Sequence, residues 1–210
     1  MSVLPVLLKH GFPMIWVLLF LSAVVIYVFI ERVLHYHRAQ INSIEFLNGI
    51  RNVLKRENVV EALSICEATP GPVARLVKTA ILTRDRGREG VRDALEETGL
   101  LEVPRLEEKL NLMATVAQIA PLMGLLGTVM GFMRIFFALQ QKGPFANISD
   151  LAGGVWASLI AMAAGLAVAI PAYAAYNYLV SRVNSIVLDM EKASAEIINM
   201  VTETGPHDAR

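Results

Sequence analysis

The sequence holds one cysteine, Cys66, in 210 residues. That excludes an intrachain disulfide framework and a metal site built on cysteines. Neither a G-x-x-x-x-G-K-[ST] loop nor a G-x-G-x-x-G turn occurs, so no phosphate cradle of either kind is present. An excess of one charge is missing too: 19 basic and 19 acidic residues cancel. Bulk charge therefore points neither to nucleic acid nor to an acidic substrate. No stretch alternates apolar and polar residues as a half-buried strand does. His35 and His37 are the obvious candidates for metal ligands. Two residues apart on a helix, they point about 200° from each other and cannot share an ion as an i, i+4 pair would. With no nucleophile, base or metal constellation in sight, the expected protein is not an enzyme and needs no cofactor.

What is present is apolar: 55% of the residues are hydrophobic. Three windows carry no Asp, Glu, Lys, Arg or His: residues 11–30, 110–133 and 151–181. Each reaches the roughly 20 residues that a helix needs to cross hydrocarbon. Three transmembrane helices follow, and the fold class is an all-α membrane protein. The third window makes about 46 Å of helix, too long for the bilayer, so its end continues into water or tilts. The first window is a retained helix rather than a cleaved leader, because ERVLHYHR follows it and no small-residue cleavage site does.

Orientation follows from the Lys and Arg residues near the helix ends. Arg32, Arg38, Arg105, Lys109, Arg182 and Lys192 lie on one side. Lys9, Arg134 and Lys142 lie on the other. The expected division is therefore a periplasmic N-terminus at residues 1–10, a first span at 11–31 and a cytoplasmic helical segment at 32–109. A second span at 110–136, a periplasmic loop at 137–150, a third span at 151–175 and a cytoplasmic helix and tail at 176–210 complete it. The cytoplasmic segment is helical by pattern. Ile41, Ile44, Leu47, Ile50 and Leu54 repeat at three- and four-residue steps. TPGP at 69–72 breaks one helix and sets Pro72 at the first position of the next.

In lipid, helices associate by close backbone packing at small residues rather than by apolar burial. Gly153, Ala157, Ala161, Gly165 and Ala169 recur every four residues along the third span. Gly127 and Gly131 share that spacing in the second span, as do Gly124 and Thr128. Pro121 lacks an N–H and should loosen the turn before it. Thr128 has two roles open to it: a hydroxyl bonded back to its own helix, or a polar group on a pore. Because the three windows hold no Asp, Glu, Lys, Arg or His, any proton path needs a carboxylate brought by another chain.

APLMGLLGTVMGFMRIF and, some thirty residues later, GLAVAIPAYAAYNYL resemble the MotA/TolQ/ExbB proton channel family, its ExbB and TolQ branches most closely. The resemblance covers nearly the whole chain. It implies a homo-pentamer in the bacterial inner membrane whose second and third helices line a central pore. It also implies a single-span partner of the ExbD/TolR type carrying a transmembrane Asp, and a TonB- or TolA-like protein that passes the motion to the outer membrane. Thr128 falls on the threonine of the family's LGTV, Pro121 on its proline and Pro171 on the proline of AIP. The third helix departs from the pattern. Ala157 stands where a glutamate is usual, and Ala161 and Met162 stand at the pore threonine positions, with Ser158 the nearby hydroxyl. The pore-lining set implied is Thr128, Ser158 and Met162. Three functions stay open: an ExbB-like motor subunit for outer-membrane transport, a TolQ-like subunit for envelope maintenance, and a non-conducting pentameric membrane scaffold. No role in binding nucleic acid is expected.

Overall fold

The computed structural model describes residues 13–39, 42–143 and 148–204. The expected segment 1–10 with Lys9, the start of the first span, residues 144–147 of the loop and residues 205–210 of the tail lie outside them. Among the described residues every regular element is helical. In chain order these are α1 Pro13–Ala39, α2 Ser43–Leu54, α3 Val59–Ala68, α4 Pro72–Leu82, a 3-10 turn Arg84–Arg86, α5 Gly87–Glu107, α6 Leu110–Lys142 and α7 Ile148–Thr204. Three helical stretches, built on α1, α6 and α7, are long and apolar enough to cross a membrane.

Local chemistry sets the short helices. The Asn42 side chain caps α2 by accepting from the Glu45 N–H. Asn58 caps α3 in both directions: its Oδ1 accepts from the Glu61 N–H at 3.2 Å, and its Nδ2 donates to Glu61 Oε2 at 2.8 Å. At the TPGP break, Gly71 takes φ 119°, which a side chain disfavours, and Pro72 opens α4. Lys109 sits in the left-handed region at φ 67° between α5 and α6. Pro104, Pro121 and Pro171 lie inside helices that run on past them.

The chain divides into two compact units, with the boundaries after Ile30, Glu108 and Tyr178. The first holds the N-terminal part of α1, all of α6 and α7 as far as Tyr178. Leu18, Ala120 and Ala169 form its inner cluster, with Met123, Ala164 and Val168 packed around them. Large apolar side chains such as Trp16, Phe20, Phe136, Phe137, Trp156 and Ile170 are exposed. So much exposed apolar surface on long helices suits lipid rather than water.

The second unit holds the rest of α1, the helices α2 to α5 and α7 from Leu179. Its stretch of α7 buries Leu179, Val183, Ile186, Met190, Ala193, Ile197 and Met200 in alternating steps of four and three, the spacing of a coiled-coil seam. Ion pairs hold the edges. Buried Arg32 donates to Glu108 at 3.1 Å, and the Tyr36 hydroxyl donates to the Leu106 carbonyl at 2.6 Å. Burial raises the Tyr36 hydroxyl above its ordinary pKa, against the neighbouring Arg32 charge. The buried carboxylate of Glu102 lies 2.6 Å from Arg75 and 2.9 Å from Arg105, so its charge is matched twice. Arg51 pairs with Glu196 across α2 and α7.

Candidate functional site

The site lies on the seam between α6 and α7 in the first unit, where backbone meets backbone. A Cβ added at Gly165 would stand 2.7 Å from the Ala120 carbonyl oxygen and 2.8 Å from the Gly124 Cα. One added at Gly124 would stand 3.0 Å from the Ala161 carbonyl oxygen and 3.2 Å from that of Met162. One added at Gly127 would stand 2.7 Å from the Ala161 methyl. These are distances that bonded geometry alone does not relieve, because the obstacles are main chain or a rigid methyl. Glycine at these positions is what allows the approach.

The same closeness fixes two hydroxyls. Gly131 leaves the space that the Ser158 hydroxyl occupies, and Ser158 is 1% exposed. The Ser158 hydroxyl donates to the Gly154 carbonyl of its own helix at 2.9 Å. Thr128 is half-buried, and its hydroxyl has two acceptors: the Gly124 carbonyl of its own helix at 3.2 Å and the Ser158 carbonyl of α7 at 3.1 Å. A hydroxyl has one proton, so this donation is shared, and the Thr128 oxygen keeps lone pairs for a donor. The bond back to its own helix, one of the two roles open to Thr128 from sequence, is thus present, and the same hydroxyl also reaches across the seam to α7.

The remaining sequence-chosen residues distribute unevenly. Ala161, Gly165 and Ala169 are buried on the seam, whereas Gly153 is exposed with nothing within 4 Å of an added Cβ. Ala157 and Met162 are half-buried. The neighbour Gly154 does meet the seam, where the Ile135 side chain fills the place of a Cβ. The physical reason is the helix period. Steps of four residues rotate about 40° each against 3.6 residues per turn. Residues 154, 158, 161, 165 and 169 stay in line by mixing steps of four and three. Pro121 is half-buried and Pro171 exposed. Each withholds an N–H, from the carbonyls of Ala117 and Ala167 respectively.

Sequence reasoning missed three participants: Gly154, Ile135 and the Ser158 carbonyl. Gly154 was legible as the partner of Ser158 at the same four-residue spacing. The carbonyl was not, because every residue has one. No charged side chain lies in residues 110–133 or 151–178, so the seam offers hydroxyls and carbonyls but no group that exchanges a proton near neutral pH. Among the described residues no cluster of His, Cys, Asp and Glu is suited to a metal ion. Outside the spans, burial pushes the Cys66 thiol up to about 11, which keeps it protonated and unreactive.

A family model described as the MotA/TolQ/ExbB proton channel family matches residues 68–192. A protein named as an ExbB homolog from Methanothermobacter thermautotrophicus is 28% identical over 189 residues, 88% of this chain and 65% of its own. The biopolymer transport protein ExbB of Aquifex aeolicus is 42% identical over 91 residues, 43% of this chain and 61% of its own. The Tol-Pal system protein TolQ of Haemophilus influenzae is 46% identical over 88 residues, 42% of this chain and 38% of its own. The chain therefore spans less than two thirds of the length of each of these three relatives.

Proposed function

This chain belongs to the MotA/TolQ/ExbB proton channel family, and from that premise we propose that it is the channel subunit of an inner-membrane motor of the ExbB/TolQ kind. In this proposal five copies surround the transmembrane helix of an ExbD/TolR-like partner, with the N-terminus periplasmic and the C-terminus cytoplasmic. Proton entry does mechanical work that a TonB- or TolA-like protein delivers to the outer membrane. The observation that carries the proposal is the hydrogen-bonded seam at Thr128 inside spans that lack any carboxylate.

The chemistry follows from what the seam lacks. A proton crossing hydrocarbon needs a group that binds and releases it, and only the partner's aspartate supplies one. A protonated aspartic acid donates one O–H, and the Thr128 oxygen has lone pairs to accept it while its own proton stays on the two carbonyls. An ionised aspartate accepts only, so it must compete for the Thr128 proton against the Gly124 and Ser158 carbonyls. Thr128 thereby suits the neutral acid and couples its ionisation to the bond across the α6–α7 seam.

The test is proton flux in liposomes holding the chain with its single-span partner. Thr128→Val should lower flux at unchanged assembly, while Thr128→Ser should keep most of it. Equal flux in wild type and Thr128→Val sinks the proposed role. Met162 and Ala157, where the family carries threonine and glutamate, favour a second function: a pentameric scaffold that retains the seam but not the transport. In that case the intact complex leaks no more than protein-free liposomes.

A further inference from the structure

A groove of about 780 Å³ opens in the second unit between α5 and the C-terminal part of α7. Its walls are apolar. Leu95 and Val103 come from α5, and Val187, Met190 and Ile198 from α7. Leu95 and Met190 are buried, and Leu100 at the mouth is 70% exposed. The rim carries charge. Glu96 stands on the α5 wall and Glu191 on the α7 wall, both exposed, with Arg92 one turn before Glu96.

Several charges of this unit are matched. Glu102 meets two arginines, and Arg32, Arg51 and Lys78 each meet a carboxylate. Glu96, Glu191 and Arg92 enter no ion pair or hydrogen bond among the described residues. The turn lining the groove also carries Pro104. Proline has no N–H, so the Leu100 carbonyl loses its usual helical donor and keeps acceptor capacity. An apolar trough with a carboxylate on each of two walls, a spare carbonyl and a single cation has a definite complement. That complement is an amphipathic helix with aliphatic residues on one face and Lys or Arg beside them.

We propose that this groove is a docking site for a cationic amphipathic helix of another protein. The apolar face fills the trough, and basic side chains meet Glu96 and Glu191 on its two walls. The groove gives area, and the paired carboxylates give orientation and discrimination against acidic segments. Every residue lining the groove belongs to the second unit, and its peptide-binding test does not require the chain to conduct.

The experiment uses the full chain in zwitterionic nanodiscs, with empty discs as the blank. The probes are two fluorescent peptides of about 14 residues, long enough to form a helix on binding. They share leucines at i, i+3, i+4 and i+7; the other positions are lysine in one and glutamate in the other. The chain should bind the lysine peptide saturably and reject the glutamate peptide. Glu96→Lys with Glu191→Lys should weaken the lysine peptide by about tenfold and admit the glutamate peptide. Ser194→Trp, which fills the groove without changing its charge, should block both. Equal binding of the two peptides, or the same affinity in wild type and variants, overturns the proposal. So does a loss of oligomeric mass in Ser194→Trp by mass photometry, which would make the groove a contact between copies of this chain.

Discussion

One helix, α7, packs by two different rules. Through the first unit its inward positions are Gly154, Ser158, Ala161, Gly165 and Ala169. Through the second they are mostly larger: Leu179, Val183, Ile186, Met190, Ala193, Ile197 and Met200. The solvent explains the change. In water, burying a large aliphatic side chain is favourable by roughly 1.5–3 kcal/mol, so the helix presents leucine, valine and isoleucine. In lipid that gain vanishes, because the tails are as apolar as the side chains. Attraction must then come from close contact and hydrogen bonds, which small residues permit. Polar groups divide the same way. The second unit balances buried Glu102 and Arg32 with ion pairs; the α6–α7 seam of the first is bridged by a hydroxyl and a carbonyl.

That contrast can be broken by substitution, and the largest expected effect lies in the second unit. Ile197→Ala removes a fully buried side chain and should destabilise the chain by about 3 kcal/mol in thermal or denaturant unfolding. Gly165→Ala adds one methyl against the Ala120 carbonyl and the Gly124 backbone. It should cost about 2 kcal/mol by overpacking, a sign opposite to the usual benefit of alanine in a helix. If Gly165→Ala were neutral, the seam would not be close-packed. Thr128→Val deletes a shared hydrogen bond but keeps the shape, so its expected cost in stability is about 1 kcal/mol, with the larger loss in flux. Gly49→Ala in α2 is the mirror of Gly165→Ala. Nothing lies within 4 Å of its added Cβ, and it should stabilise by up to about 1 kcal/mol.

The smallest effect is a pH dependence at Cys66. Burial raises this thiol from 9.0 to about 11, so the fold favours the protonated form. Below pH 9 the thiol is protonated whether folded or unfolded, and the contribution is fully present. Between about pH 9 and pH 11 the unfolded thiol ionises first, and stability falls. Melting temperatures measured across that window should drop less steeply in Cys66→Ala than in wild type.

Much of this was legible in the sequence. The three charge-free windows mark the helices long enough to cross a membrane, because charge in hydrocarbon is costly. TPGP at 69–72 marks the break before α4 through the demands of Gly71 and Pro72. The heptad run from Leu179 to Met200 was there to be read by its alternating steps, and it extends α7 well past the third apolar window. The seam was less legible. A four-residue stripe approximates a 3.6-residue helix for only a few turns, so Gly153 lies off the contact and Gly154 lies on it. The bond from Thr128 to the Ser158 carbonyl depends on the register of two helices, which no local pattern encodes. The pairing of Glu102 with Arg75, across 27 positions, is of the same kind.

The central claim is that this chain provides a seam of hydroxyls and carbonyls while another chain provides the proton-binding carboxylate. The most direct test compares proton flux, driven by one fixed pH gradient, through liposomes holding the chain alone and the chain with its single-span partner. The chain alone should conduct no more than protein-free liposomes. The complex should conduct, and changing the partner's transmembrane aspartate to asparagine should return flux to the blank. Flux through the chain alone at the level of the complex would contradict the claim.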